Sequence, residues 1–420
     1  MRAMWITGPT RSGKTQQLVD WIYQQSASVE SPWLVFAANG DNRMVLAQRL
    51  AATIRDRVPY TTTTPAGFIQ NEVILFWPLL VKSLTLKAQF PLKLRPENEQ
   101  LLALQLWEPL LAGELQVEGW QEAQTVRRAL DLLQLAASAG IPTEEITQRL
   151  RQGMVRIPVD TWEVMGVALL QWRAWCLERG FLTYGLMTEL YWRHLLPLSQ
   201  YQTQLLERFA GTAADDVDEY SAIATSLFQV FKAAGRLQAF TYNPSGQVRL
   251  GVGADPTATL VLAEGCEHLR LPHSKADSLG YAMADDVVQW VQDPLAVPEL
   301  PEQVQLITAT TRGKMLRQVA EFIADAIHRE AIAPADIAVI GPGLDAIARY
   351  SLIEILSQRG IVVASLNDQR PLNSSPFVRA LLTLLTLVYS GVGRLVSRDA
   401  IAEMLVVLSQ TPKTEASLPW

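Results

Sequence analysis

Short apolar runs alternate with amphipathic stretches at the start of the chain. Met4-Trp5-Ile6 forms the first run, and after Thr15 the residues Leu18, Val19, Ile22 and Tyr23 recur at helical spacing. A second run spans Trp33 to Gly40, and residues 41–58 return to helical periodicity, with Asp41 placed to cap that helix. The polar stretch from Thr61 to Phe68 breaks the pattern. A strand, helix, strand, helix order predicts the opening of a parallel α/β fold.

The texture changes from about Glu97 to Glu207, where Leu, Trp, Ala and Gln dominate at helical spacing and no strand is evident. This predicts a helical domain inserted over residues 91–207, with its Leu and Trp stripes forming a core. The α/β texture returns at Arg208. A small-residue run to Ala214 ends in Asp215, Asp216, Asp218 and Glu219. A helix at 226–235, a strand at 237–243, a glycine-rich loop at 244–256 and a strand at 258–263 are expected next. A further α/β unit is predicted over 299–420. Its strands are expected at 304–311, in 335–343 and at 362–366, and its helices at 313–331, at 348–361 and from near Pro376.

Composition narrows the functional classes. Hydrophobic residues make up 49% and charged residues 19% of the 420, which is ordinary for a globular protein with an ample core. No apolar run reaches the roughly 18 residues of a membrane span, and the N-terminus has no secretory signal, so a cytoplasmic protein with no membrane contact is expected. Cys176 and Cys266 form no metal-binding pair, and with four histidines a structural zinc site is not expected. A net charge of −6 argues against nucleic-acid binding by bulk charge but leaves room for a local basic groove.

The sharpest chemistry lies at Gly8-Pro9-Thr10-Arg11-Ser12-Gly13-Lys14-Thr15, which has the form G-x-x-x-x-G-K-[ST] between a predicted strand and a predicted helix. The two glycines let the backbone turn its N–H groups towards phosphates, and the helix N-terminus favours negative charge. Lys14 would reach the β- and γ-phosphates of ATP, and Thr15 would ligate Mg²⁺.

Five stretches in this order resemble the UvrD/Rep-type superfamily 1 DNA helicases, and among them the RecB/AddB helicase-nuclease branch. They are the phosphate loop, LVFAANGDNRMVLAQRL, TTTTPAGF, RFAGTAADDVDEYSA, and IAVIGPG with the later RGIVVASLNDQRPLNSSPFVRALLTLL. The resemblance implies a P-loop NTPase of two RecA-like lobes. The first (1–90 and 208–298) would carry the helical insertion, and the second (299–420) would be partial and continue past Trp420. It implies ATP and Mg²⁺ as cofactors, and single-stranded DNA as partner through Asn39, Thr64 and Phe68. A nuclease or helicase partner subunit is also implied.

In the acidic motif, one register puts Asp215 on the magnesium-ligating position and Asp216 on the catalytic one, whereas another uses Asp218 and Glu219. Gln247 stands where the family has a glutamine coupling phosphate to DNA. The family's Tyr-Arg after the A-V-L strand is absent, and Gly341-Pro342 stand there. Two readings follow. One is an ATP-driven single-stranded DNA translocase or helicase of recombination or repair, with Lys14, Asp215, Asp216 and Gln247 as its catalytic groups. The other is an AddB-like non-motor scaffold. A P-loop kinase fits less well, because small kinases use one sheet and a short lid.

Overall fold

The computed structural model describes residues 3–26, 31–54, 57–116, 119–153, 159–246, 248–272, 279–293, 295, 300–329, 332–341, 345–364, 375–389, 396 and 398–409. The chain divides into two compact units, Met1–Asp277 and Ser278–Trp420. The division falls about twenty residues before the boundary expected at 298.

The first unit is an α/β structure around one six-stranded sheet. Its strands are β1 (Ala3–Thr7), β2 (Trp33–Phe36), β3 (Tyr60–Thr63), β6 (Gly211–Ala214), β7 (Leu237–Tyr242) and β8 (Glu267–Arg270), in the order β3-β2-β6-β7-β1-β8. Every pairing in it is parallel. Burial on both faces is what a parallel sheet demands, and all four residues of β2 and of β6 are buried. β6 reads Gly-Thr-Ala-Ala because the space is narrow. A Cβ on Gly211 would lie 2.5 Å from the Leu237 carbonyl oxygen and 2.9 Å from the Trp33 ring.

Alternation along the strands sorts the two faces. Ile6, Trp33, Val35, Ala213 and Ala239 share one core with α1 (Lys14–Gln25) and α2 (Gly40–Ile54). Trp5, Leu34, Phe36, Ala214 and Phe240 face a second core. That core is filled by α3 (Pro65–Leu75), α4 (Trp77–Leu84), α9 (Tyr184–Leu190), α10 (Ser199–Arg208) and α11 (Ala224–Ala233). Edge-on rings hold its centre, with Phe36 against Phe68 at 5.5 Å and against Phe228 at 5.4 Å.

Between β3 and β6 the helical insertion builds a core of its own. α5 (Pro96–Leu111), α6 (Glu122–Ser138), α7 (Ile146–Gln152) and α8 (Val159–Arg179) contribute Trp107, Leu130, Leu133, Ile146, Leu169 and Trp172 to it. α9 belongs to both cores: Leu186 packs in the insertion, whereas Met187 and Leu190 pack under the sheet. The insertion is not purely helical. β4 (Leu92–Lys93) and β5 (Phe181–Leu182) form a two-residue parallel pair.

Beyond the β4–β5 pair, this unit departs from the sequence expectation at β3, which forms in the polar threonine stretch, and at two elements near its end. Residues 258–263 are not a strand. Asp255 accepts a hydrogen bond from the Ala258 N–H, Pro256 takes the first helical position, and α12 (Pro256–Thr259) runs into a 3-10 turn over Leu260–Ala263. The edge strand is instead β8, whose exposed Glu267, His268 and Arg270 hide it from an apolar pattern.

The second unit holds six α-helices among its described residues: α13 (Leu279–Ala282), α14 (Ala284–Gln292), α15 (Arg312–Arg329), α16 (Ala346–Ser357), α17 (Pro376–Val388) and α18 (Arg398–Ser409). α15 and α16 pack through Ala320, Ile323, Leu352 and Leu356. α17 packs on α18, and Arg379 pairs with Glu403 between them. The helices expected at 313–331, at 348–361 and from Pro376 are present. The expected strands are not: the described parts of 304–311, 335–343 and 362–366 form no ladder. Ile337 and Val363 lean on the α15–α16 pair, while Ile340 and Val362 are 92% and 89% exposed. Apolar, extended chain becomes sheet only when a neighbouring strand takes its N–H and C=O groups.

Candidate functional site at the carboxyl edge of the sheet

The connections leaving β1 and β7 run in opposite directions across the sheet. β1 leads past β7 and β6 to β2, and β7 leads past β1 to β8. Such a reversal leaves a crevice outside the carboxyl ends of the strands. Residues 8–13 lie there, joining β1 to α1. The Gly8 N–H donates to the Tyr242 carbonyl at 3.1 Å, which ties the loop to β7. Gly13 sits at φ 91°, a left-handed conformation that glycine adopts without strain, and this turns the chain directly into α1.

Lys14 is buried, and its Nζ donates to the Pro9 carbonyl at 3.0 Å and lies 3.6 Å from Asp216 Oδ1. Thr15 Oγ1 donates to Asp215 Oδ2 at 2.8 Å, joining residues 200 apart in sequence. Asp215 extends β6 by one residue, its N–H donating to the Phe36 carbonyl at 2.9 Å. Its other oxygen accepts from Thr241 Oγ1 at 2.6 Å, and Thr241 Oγ1 accepts in turn from the Asp216 N–H at 2.7 Å. Burial, and then the neighbouring Asp216 charge, push the Asp215 carboxyl up to about 6.

Of the two acidic registers, Asp215 and Asp216 are the pair that meets Thr15 and Lys14. Asp218 and Glu219 lie in the short turn that follows. Asp218 is buried and accepts the Asn243 N–H at 2.8 Å, which finishes β7. Glu219 stands 4.0 Å from Arg249. Burial raises the pKa of both. Asp216 holds φ 52° and ψ 56°, a left-handed conformation uncommon outside glycine, asparagine and aspartate.

Pattern reading missed two residues of the site. Thr241 bridges both aspartates, and Asn243 Nδ2 donates to Thr10 Oγ1 at 3.2 Å. The available signal was the polar Thr and Asn at the end of an otherwise apolar strand. Gln247 lies outside the described residues.

The three DNA candidates are occupied locally. Asn39 Oδ1 accepts the Asn42 N–H at 2.9 Å, so Asn39, rather than Asp41, caps α2. Thr64 Oγ1 accepts the Gly67 N–H at 3.1 Å and caps α3. Phe68 is core, its ring edge-on to Phe36, Tyr191 and Phe209, so it is not available for stacking on a base.

A hydroxyl and a carboxylate side by side are hard oxygen donors of the kind Mg²⁺ uses. Magnesium is ordinarily held by one or two carboxylates together with substrate phosphates rather than by an all-protein cage. Among the described residues there is no cluster of three or more His, Cys, Asp or Glu placed to hold a metal. Thr15 and Asp215 therefore fit a magnesium ion that a phosphate also holds. A separate cavity of about 440 Å³, lined by Ala3, Lys232, Arg236, Gln238 and Cys266, lies at the opposite end of the strands. Among the described residues no helix is long and apolar enough to cross a membrane. No protein-family model matches the chain, and no curated protein matches it.

Proposed function

We propose that the chain binds ATP with Mg²⁺ through residues 8–15 and Asp215, and acts as a single-stranded DNA translocase or helicase of the superfamily 1 type in recombination or repair. The observation that carries this reading is the Thr15–Asp215 hydrogen bond with Lys14 beside Asp216. It draws the two halves of a phosphate-and-metal site from opposite sides of the helical insertion. The parallel sheet, with both segments at its carboxyl edge, supports a RecA-like first lobe.

In this reading Lys14 leaves Pro9 and Asp216 to contact the β- and γ-phosphates. Thr15 and Asp215 would hold the magnesium ion, which when bound would supply positive charge to neutralise the phosphates. Asp216, freed from Lys14, orients the attacking water. Thr241 fixes both aspartates, and Asn243 reaches the phosphate loop through Thr10.

The test is ATP hydrolysis with and without single-stranded DNA, beside Lys14→Ala. DNA-stimulated turnover that Lys14→Ala abolishes supports the motor. One observation favours the second reading, a nucleotide-binding scaffold that supports a partner motor or nuclease: Asp216, at the catalytic position of the favoured register, is engaged with Lys14. ATP binding without DNA-stimulated turnover would select that scaffold.

A further inference from the structure

We infer that the β4–β5 pair and its flanks form a surface for single-stranded nucleic acid, with Phe90 as a stacking platform. The choice of ligand rests on the function proposed above, but the binding surface is separate from the phosphate site. Phe90 is 86% exposed, the most exposed large aromatic side chain among the described residues. The strand that follows it is paired. The Leu92 N–H donates to the Gly180 carbonyl at 2.7 Å and the Leu94 N–H to the Leu182 carbonyl at 2.8 Å. Gly180, at φ 72°, comes so close that a Cβ there would lie 2.6 Å from the Phe90 carbonyl oxygen. The ring is thus exposed beside a close approach of the two chain segments.

Cations flank it in sequence and across the strand pair. Lys87, Lys93, Arg95 and Arg179 are exposed on the two strands and their flanks. Lys93 Nζ lies over the Tyr184 ring at 5.0 Å, and the Arg179 guanidinium over the Trp175 ring at 4.6 Å. Three carboxylates oppose them: Glu178, paired with both Lys87 and Arg179, and Glu97 and Glu99 in the first turn of α5, of which Glu99 is buried and its pKa raised to about 7 by that burial. The local balance is positive on a chain whose net charge is −6. Exposed aromatic faces among cations are what an unpaired strand uses, since bases stack on rings while phosphates meet Lys and Arg. A protein partner would ask for a continuous apolar patch, whereas the exposed apolar groups on this stretch are Phe90 and Leu92 amid charge.

The experiment is fluorescence anisotropy with a labelled oligo(dT) of about 30 nucleotides across a salt series, in parallel with binding of a fluorescent ATP analogue. Phe90→Ala is expected to weaken oligo(dT) binding about tenfold, and Phe90→Trp to retain it. Lys93→Gln with Arg95→Gln is expected to flatten the dependence of log affinity on log salt by about 0.7 for each phosphate no longer neutralised. All three proteins should bind the ATP analogue as the parent does, which also shows that they fold. Unchanged oligo(dT) affinity in Phe90→Ala, or equal competition by a duplex whose bases are paired, overturns the surface. Binding of the ATP analogue without oligo(dT) sinks the surface and leaves the nucleotide site standing. Binding of oligo(dT) without the analogue does the reverse.

Discussion

The two units were built from similar sequence patterns and came out differently. In Met1–Asp277, apolar runs became a parallel sheet with helices on both faces. In Ser278–Trp420, runs of the same character lie extended without a ladder beside packed helices. The difference lies in what surrounds each run. β2 has β3 on one side, β6 on the other and a core above and below, so its four residues are shut off from water. Ile340 and Val362 have apolar neighbours in sequence yet stay in solvent. Hydrophobicity recruits a segment to a core, but pairing makes it a strand.

The largest expected contrast is in amide hydrogen exchange. Protection in β2, β6 and β7 should approach the global stability of the first unit, whereas described residues 304–309, 337–340 and 361–364 should exchange at least about a thousandfold faster. Equal protection in both groups would break the comparison. Next come core truncations. Phe36→Ala, which removes a ring that touches Phe68 and Phe228, should cost about 3–5 kcal/mol by denaturant melts. Ile340→Ala should stay within about 0.5 kcal/mol, because its side chain is already in water.

The buried aspartate gives a pH-dependent test. With its pKa raised to about 6, Asp215 keeps its proton more tightly in the folded state, so its contribution to stability is present at low pH and lost as pH rises to and through 6. Asp215→Asn should therefore be more stable than the parent at pH 7 to 8, by on the order of 3 kcal/mol, with the gain vanishing below about pH 4. Thermal melts across pH would show it, and a gain that persists at low pH would refute the burial argument. The smallest effects belong to the caps. Asn39→Ala and Thr64→Ala should each cost about 1 kcal/mol, because each frees one helix-terminal N–H.

The turn over residues 8–13 and the helix start after it were legible because their signal is local to eight consecutive residues. Asp215 came from one register of the acidic motif that the resemblance implies, and it is the register whose residues meet Thr15 and Lys14. Thr241 and Asn243 were not legible, since their importance comes from strand order, which places the end of β7 between the loop and the acids. Residues 258–263 misled because a short apolar run fits a strand and a buried turn equally, and the deciding signal, Asp255-Pro256, lay just before it. β8 was hidden by its charge. Phe68 looked like a base-stacking ring because sequence cannot tell an aromatic at a helix start from one beneath it.

The way the insertion is rooted governs how the parts of the first unit can move. Successive residues of α9 are anchored in different cores, Leu186 in the insertion and Met187 under the sheet. A bundle joined by loops alone could swing like a door. This one shares a beam with the lobe beneath it, so any tilt must bend or slide that beam, and mechanical load on the insertion is delivered straight into the packing under the sheet.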